Sequence, residues 1–254
     1  MKSLLIKSYF VLLPLAVLIL LVLQYFYRVS PVIISIPIAL FLIQYSYQHF
    51  SPVYFFVNKI FNKILNPSTR WNFSVEHRIN QNPKEAFKIV VETVLSFDDV
   101  SIWADKDDSK IFQLSSFLCE INIHQEVSAE EHVGEGFILN IGITKLEVPY
   151  RSAERILDHE VVPLLYKIQE ALKPSKNKFV FNCEMQSINP YYGLLLKKVD
   201  VQNIERFTIE FTEKVKGSQK SHVQIRKSKI TVVSDDLIAF QNLSRKYLIL
   251  SPKI

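Results

Sequence analysis

Glycine is scarce in this chain, with only five among 254 residues, and this scarcity excludes one class of site. Glycine-rich phosphate loops need several glycines within a few residues, because their backbone adopts conformations that other residues avoid. The sequence also lacks a serine in an elbow motif and a cysteine framed by glycines. Nucleophilic catalysis therefore has no candidate pair, which argues against an enzyme.

Cysteine is rarer still. Cys119 and Cys183 are the only two, and each falls in an alternating, strand-like stretch. We expect two buried, reduced thiols, as in a cytoplasmic domain, in preference to a disulfide or a metal site. The sequence predicts no cofactor.

Acidic residues are absent from residues 1–70, which hold six Lys or Arg. Two apolar stretches fill most of this region, residues 8–27 and 31–50, and only three residues separate them. A helix of about 20 apolar residues crosses a hydrocarbon core of about 30 Å. The pattern predicts a two-helix transmembrane hairpin over residues 1–50, because a backbone in lipid must satisfy its own hydrogen bonds.

The charges that flank the two stretches predict the orientation of the hairpin. Lys2 and Lys7 precede the first span and Lys59 and Lys63 follow the second, whereas the short turn carries only Arg28. Positive flanks favour the cytoplasmic side. We therefore expect a protein of the bacterial inner (cytoplasmic) membrane, with two spans and both termini in the cytoplasm.

Residues 51–66 have the pattern of an amphipathic helix. Apolar side chains recur at helical spacing, and Asn and Lys residues occupy the other face. Next to a membrane span, this pattern favours a helix that lies in the bilayer interface. The candidate interface residues are Lys59, Lys63, Phe56 and Phe61. Alternatively, the helix packs on the following domain or continues the second span.

After residue 70 the apolar pattern alternates between periods of about two and about 3.6, which predicts an α+β fold with a mainly antiparallel sheet. Predicted strands cover residues 72–79, 100–104, 111–114, 118–127, 137–147, 178–186, 204–213 and 222–233. Predicted helices follow Asn82-Pro83, cover residues 150–172 and 190–197, and end the chain at 235–247, where Ser234 is the expected cap. Pro163 should kink or divide the long helix.

The region after the membrane divides into two oppositely charged halves. Residues 71–172 hold 9 basic and 18 acidic side chains, and residues 173–254 hold 15 and 7. We expect an acidic lobe at 71–172 and a basic lobe at 178–254, which face each other, a second copy or a protein partner. Short echoes, INQNP at 79–83 with INP at 188–190, suggest two similar βαβββα lobes.

The most informative cluster is a basic hairpin built around Gly217-Ser218. It contains seven cationic or potentially cationic groups in sixteen residues and no acidic one. Its members are Lys214, Lys216, Lys220, His222, Arg226, Lys227 and Lys229. Such a field could attract an anionic small molecule, the anionic leaflet or the acidic lobe of a neighbour; the alternative is a solvated edge hairpin. Tyr191 and Tyr192 are candidate stacking residues beside it.

Candidate metal ligands lie in a short segment, where His124 and His132 stand among four glutamates within residues 124–135. The spacing fits no HExxH helix, and a surface loop is the competing interpretation. Asp158-His159-Glu160 could support acid–base chemistry only if it faced a pocket. Duplex nucleic acid is not an expected partner, because acidic and basic groups nearly balance after residue 70.

Three functions remain from these observations. The first is a membrane-anchored cytoplasmic binding or sensor domain, for which a ligand-triggered oligomeric effector of nucleotide signalling or anti-phage defence is a concrete form. The second is a structural or scaffold subunit of a larger membrane complex. The third is a membrane-tethered hydrolase that uses the 124–135 cluster.

Overall fold

The computed structural model describes residues 31–125, 137–186, 189–196, 208–215 and 220–248. The predicted first span at 8–27 lies outside them. The second apolar stretch forms helix α1 (Pro31–His49), and helix α2 (Ser51–Leu65) follows directly. Within the described ranges, no helix is both long enough and apolar enough to cross a membrane. The chain divides into two compact units, Met1–Asn58 and Lys59–Ile254.

In the described part of the second unit, nine strands form one sheet, in which every neighbouring pair is antiparallel. The predicted α+β class with a mainly antiparallel sheet is thus confirmed. The strands are β1 (Ser68–Ile79), β2 (Ser101–Asp105), β3 (Ser109–Gln113), β4 (Leu118–Gln125), β5 (Phe137–Pro149), β6 (Lys176–Met185), β7 (Thr208–Lys214), β8 (Lys220–Arg226) and β9 (Lys229–Ser234). Their order across the sheet is β2-β3-β4-β5-β1-β6-β9-β8-β7.

Strands β1 to β5 occupy one half of this sheet, and strands β6 to β9 occupy the other half. In each half the first strand pairs with the last strand of the same half, β1 with β5 and β6 with β9. The halves join where β1 pairs with β6, and there Asn72 lies opposite Asn182. The two halves therefore share one continuous backbone hydrogen-bond network.

Helices supply the second layer of the domain. They are α3 (Pro83–Leu95), α4 (residues 153–172), α5 (Pro190–Leu196) and α6 (Leu237–Leu248). One face of each central strand is fully buried with them, and aromatic rings fill the centre. The Phe73 and Phe181 rings stack at 4.7 Å, and Phe240 of α6 lies 5.4 Å from Phe179. Such a core is worth about 1.5–3 kcal/mol for each large side chain removed from water.

Helix α4 contains the irregularity that proline predicts. A single turn of π-helix, Leu157–Val161, interrupts it directly before the segment that holds Pro163. Proline has no backbone N–H and its ring crowds the preceding turn, so one wider turn accommodates it. The helix continues beyond this turn to Leu172 and ends with Lys173 in the left-handed conformation.

Two local predictions were wrong. Residues 222–233 form two strands, β8 and β9, because Lys227 and Ser228 make a tight turn between them. The cap of α6 is Asp236, whose Oδ1 accepts a hydrogen bond of 2.7 Å from the Ala239 backbone N–H. Ser234 instead receives the Asp236 N–H and donates its hydroxyl to the Asp236 carbonyl. The carboxylate competes successfully because it accepts more strongly at the positive end of the helix.

Candidate functional site

The predicted basic cluster is divided by the structure between the two ends of β8. Lys214 of β7 pairs with Lys220 at the start of that strand, whereas Arg226 lies at its end. At about 3.3 Å per residue, six residues separate the two ends by about 20 Å. His222 is exposed between them, and Lys216 lies outside the described residues. A single ligand-binding cluster is therefore not formed by the described members.

Arg226–Lys229, the turn from β8 to β9, is called the basic turn here. Three of its successive carbonyl oxygens accept hydrogen bonds from behind. The Met185 N–H donates to Ser228 at 2.7 Å, and the Asn189 N–H donates to Lys227 at 3.2 Å. The Asn189 Nδ2 donates to the Arg226 carbonyl, also at 3.2 Å. The backbone of the turn is thus held from the interior.

Asn189 is the residue that connects the basic turn to the rest of the domain. Its side chain is completely buried, and its Oδ1 accepts a hydrogen bond of 2.9 Å from the Tyr191 N–H at the start of α5. One side chain therefore caps a helix with its oxygen and fixes a turn with its nitrogen. A buried amide with all these partners is strongly determined, because an unsatisfied group at this depth costs about 1–3 kcal/mol.

The side chains of the basic turn point away from these internal bonds. Arg226 and Lys227 are exposed, and the Lys229 Nζ lies 3.8 Å from the carboxylate of Glu184. Together with Thr208 these residues border an open depression of ≈ 560 Å³. Its border carries three cations and one carboxylate, so the local charge is positive and suits an anion.

The basic turn lies at the same end of the sheet as the start of β1, which follows α2. At this end Thr69 of β1 pairs with Met185 of β6. Strand β9 is the next strand after β6, and it begins at Lys229 at the same end. Arg70, also here, forms an ion pair of 3.3 Å with Glu147.

A second depression, of ≈ 570 Å³, lies at the opposite end of the strands. Lys176, Lys178 and Arg78 border it, but so do Glu76 and Asp235. The Lys178 Nζ lies 3.2 Å from the Glu76 carboxylate. Its cations are therefore interleaved with acids, and the net field there is weaker than at the basic turn.

The predicted stacking residues are part of the core. Tyr192 is 5% exposed, which leaves no ring face for a ligand. The Tyr191 ring packs against Tyr247 at 5.3 Å, and burial raises the pKa of both phenols. Tyr247 donates its hydroxyl to the Glu213 carboxylate at 2.9 Å, which ties β7 to α6. Tyr192 is therefore buried, and one face of Tyr191 is occupied by Tyr247.

The candidate catalytic and metal-binding residues are not assembled into a site by the described structure. His124 is exposed and its Nδ1 lies 3.2 Å from Asn140 Nδ2, while His132 lies outside the described residues. Within the described ranges no group of three or more His, Cys, Asp or Glu side chains could hold a metal. Asp158 accepts a hydrogen bond of 2.9 Å from Gln241, and Glu160 pairs with Arg155 at 3.0 Å. Asp158 thus links α4 to α6, whereas the Glu160 pair lies within α4.

The candidate interface residues lie on α2, and its apolar side is exposed. Phe56 is 63% exposed and Phe61 55%, and Ile64 is exposed to the same extent as Phe56. Lys63 is exposed and Lys59 half-exposed. The end of the helix is fixed by Arg151, which donates from Nε to the Lys63 carbonyl at 2.6 Å and from Nη2 to that of Ile64 at 3.3 Å.

No family model matches this chain. No curated protein sequence matches it either. Among solved structures, it is similar to the S. pombe Pct1 RNA triphosphatase in complex with the Spt5 CTD, at 8% identity over 75% of this chain and 84% of the other, with a TM-score of 0.12. A second structure of S. pombe Pct1 gives 9% identity over 75% and 82%, with a TM-score of 0.10. Similarity at this level carries no argument about fold or function.

Asn189 is the residue of this candidate site that the sequence pattern did not identify. Its only signal was the Asn-Pro pair, which recurs at Asn82-Pro83 before α3. Both asparagines cap their helices, since the Asn82 Oδ1 accepts from the Lys84 N–H at 3.0 Å. The pair therefore predicts a helix start, but the contact with the turn at 226–229 spans 37 residues and only the folded chain reveals it.

Proposed function

We propose that this chain is a membrane-anchored binding protein. Its α+β domain binds a ligand or partner at the cytoplasmic face of the bacterial inner membrane, and its N-terminal apolar stretches anchor the domain or transmit the result of binding. A ligand-triggered oligomeric effector is the specific form that we favour. The single observation that supports attachment is the exposed apolar side of α2.

Helix α2 has the surface that an interfacial helix needs. Phe61, Ile64 and Leu65 are 55%, 63% and 72% exposed, and they lie together over the last turn and a half of the helix. Contiguous exposed apolar patches of this kind mark binding surfaces on soluble domains and membrane contact on amphipathic helices. Lys59 and Lys63 lie on the same helix, and their positive charge suits anionic headgroups.

The test uses the full chain reconstituted into lipid vesicles, with an environment-sensitive dye on a single introduced cysteine. Ile64→Cys reports on α2, and Ile238→Cys on α6 is the matched control, because Ile238 is 65% exposed on a helix of the sheet domain. We expect a blue shift of the dye emission at position 64 on reconstitution and none at 238. Equal emission at both positions, with and without vesicles, would refute attachment through α2.

The effector form of the proposal adds oligomerisation. The two halves of the chain after residue 70 carry opposite net charge, and complementary surfaces within one chain favour head-to-tail assembly. Reconstituted full chain should then release an entrapped dye only when its ligand is present, with a matching increase in oligomer size. A chain that stays monomeric in detergent and vesicles, whatever nucleotide is added, would contradict this form and leave the anchored binding protein.

A scaffold subunit is the second candidate, and one observation favours it. Strand β2 is an edge of the sheet, and it presents Ile102 at 44% and Trp103 at 68% exposure. An uncovered edge with an exposed tryptophan is a surface on which a partner strand can dock. Trp103→Glu should dissociate the protein from a membrane complex on native gels if it is a scaffold, and should leave its migration unchanged if it is not.

A further inference from the structure

We propose that the basic turn, Arg226–Lys229, binds anionic lipid headgroups and thereby holds this end of the sheet against the bilayer. The inference rests on the proposed membrane attachment and adds to it a second contact, far from α2 in sequence. The chemistry recognised is a phosphate or carboxylate group at a lipid surface. A soluble phosphate ligand would present similar chemistry, and the experiment below separates the two.

The first argument is the rigidity of the turn. Hydrogen bonds from Met185 and Asn189 occupy the carbonyls of Arg226, Lys227 and Ser228, so the backbone has little freedom to lose on binding. Preorganisation of this kind strengthens binding by lowering the entropy cost of ordering the site. A solvated hairpin that serves only for solubility does not need a completely buried asparagine behind it.

The second argument is position. The basic turn lies at the end of the sheet where β1 begins, and β1 follows α2 after two residues. Strands β9 and β1 are separated by β6 alone, which corresponds to a lateral distance of about 10 Å. The chain enters the sheet domain from α2 at this same end. A bilayer bound by α2 would therefore be within reach of the turn.

The third argument is the balance of charge. Arg226 and Lys227 have no carboxylate partner among the ion pairs of the described residues, and Lys229 has one, Glu184, at 3.8 Å. Lys214 and Lys220 lie at the opposite end of β8. At that end of the sheet, Glu76 and Asp235 lie among the lysines that border the second depression. Cations near an anionic leaflet contribute to binding additively and lose their effect within a Debye length, so the less compensated edge is favoured.

The experiment places a fluorophore on Ser228→Cys in the full chain, reconstituted in nanodiscs of phosphatidylcholine with or without phosphatidylglycerol. Ser228 is exposed, and its contribution to the turn is its backbone carbonyl, which cysteine retains. Lipids with a nitroxide on the headgroup quench the fluorophore only at close approach. We expect several-fold stronger quenching with phosphatidylglycerol than without it, and a decrease at high salt.

Two double variants test whether the turn itself is responsible. Arg226→Gln with Lys227→Gln removes two charges from the turn, and Lys214→Gln with Lys220→Gln removes two from the other end of the same strand. We expect the first to abolish the phosphatidylglycerol-dependent quenching and the second to preserve most of it. Thermal melts of both variants establish that each is folded.

The outcomes separate the inference from the proposed function. If the chain enters nanodiscs but quenching does not depend on phosphatidylglycerol, or both double variants reduce it equally, the inference is overturned and membrane attachment stands. If the chain does not associate with lipid at all, both fall. If millimolar inorganic phosphate or ATP binds the turn and removes the quenching at constant ionic strength, the turn is a site for a soluble phosphate ligand and the lipid assignment is overturned.

Discussion

The backbone N–H of Asn189 donates a hydrogen bond of 3.2 Å to the carbonyl oxygen of Lys227. Asn189 precedes helix α5, whereas Lys227 belongs to the turn between β8 and β9. A buried polar residue and an exposed basic one are thus joined, and the cations of the basic turn depend on a residue that never reaches the surface.

The first prediction concerns that residue. Asn189→Ala removes the Nδ2 bond to the Arg226 carbonyl and the cap on the Tyr191 N–H. We expect the free energy of unfolding to fall by about 1–3 kcal/mol, because a buried carbonyl and a helix N–H lose their partners. Urea denaturation measures it.

Asn242→Ala is the matched control for this substitution. Asn242 is exposed on α6, where its Nδ2 donates to the Ile238 carbonyl of the same helix. Its replacement should change the free energy by no more than about 0.5 kcal/mol. A loss of the same size in both variants would show that the position of Asn189 behind the turn has no special weight.

The second prediction concerns Arg151, which binds the last carbonyls of α2. Arg151→Gln removes the bonds to Lys63 and Ile64, while the Arg151 N–H still donates to the Asn66 side chain at 3.0 Å. We expect faster amide hydrogen exchange over residues 59–65, with a local loss of about 1–2 kcal/mol.

Arg155→Gln serves as the comparison, because Arg155 is 62% exposed and its partner is Glu160 on the same helix. It should leave exchange in α2 unchanged, since exposed pairs contribute about 0–1 kcal/mol and this one does not touch α2. Unchanged exchange in the Arg151 variant would mean that the helix end is held by other contacts.

The third prediction follows from His77, which is completely buried on β1. Its Nδ1 donates to the Asn177 Oδ1 at 2.7 Å, and its Nε2 has no partner among the described residues. Burial lowers the pKa of His77 below its ordinary 6.5, and the bond to Asn177 opposes that shift. The folded protein therefore keeps this imidazole neutral.

The sign of the pH dependence follows directly. An unfolded chain takes up a proton near pH 6.5, whereas the folded one does so only at lower pH. The contribution of neutral His77 to the free energy of unfolding is therefore at its maximum above about pH 6.5. It decreases on acidification by up to about 1.4 kcal/mol per pH unit. His77→Gln should reduce this slope between about pH 6.5 and 5.5, and His159→Gln, at an exposed position, should preserve it. Identical slopes in both would contradict the assignment.

The fourth prediction concerns the two native cysteines. Cys119 and Cys183 are free and buried, and burial raises the pKa of each thiol from 9.0 to about 12. Because the thiolate is the reactive species, native protein should incorporate no maleimide over an hour-scale reaction and two equivalents in urea. Mass spectrometry measures both. Rapid labelling of the native protein would contradict the burial, and would also compromise single-cysteine probes.

The sequence predicted those features that depend on local patterns. Alternation around Cys119 indicated a strand with one covered face, and the structure has β4 there with Cys119 buried. Asn-Pro at 82–83 predicted the start of α3, and Pro163 predicted an irregular helix. Each of these signals acts over a few residues, through side-chain direction, capping or a missing N–H. None requires knowledge of the partner strand or helix.

Tertiary structure decided how those elements combine. The spacing of the basic residues suggested one cluster, but antiparallel pairing places Lys220 and Arg226 at opposite ends of β8. Sequence separation does not encode strand order, so the pairing of β1 with β6 and the contact from Asn189 to the basic turn follow only from the packed sheet. The physical reason is that a surface is assembled from residues distant along the chain. Local propensity selects the elements, whereas burial and hydrogen bonding select their neighbours.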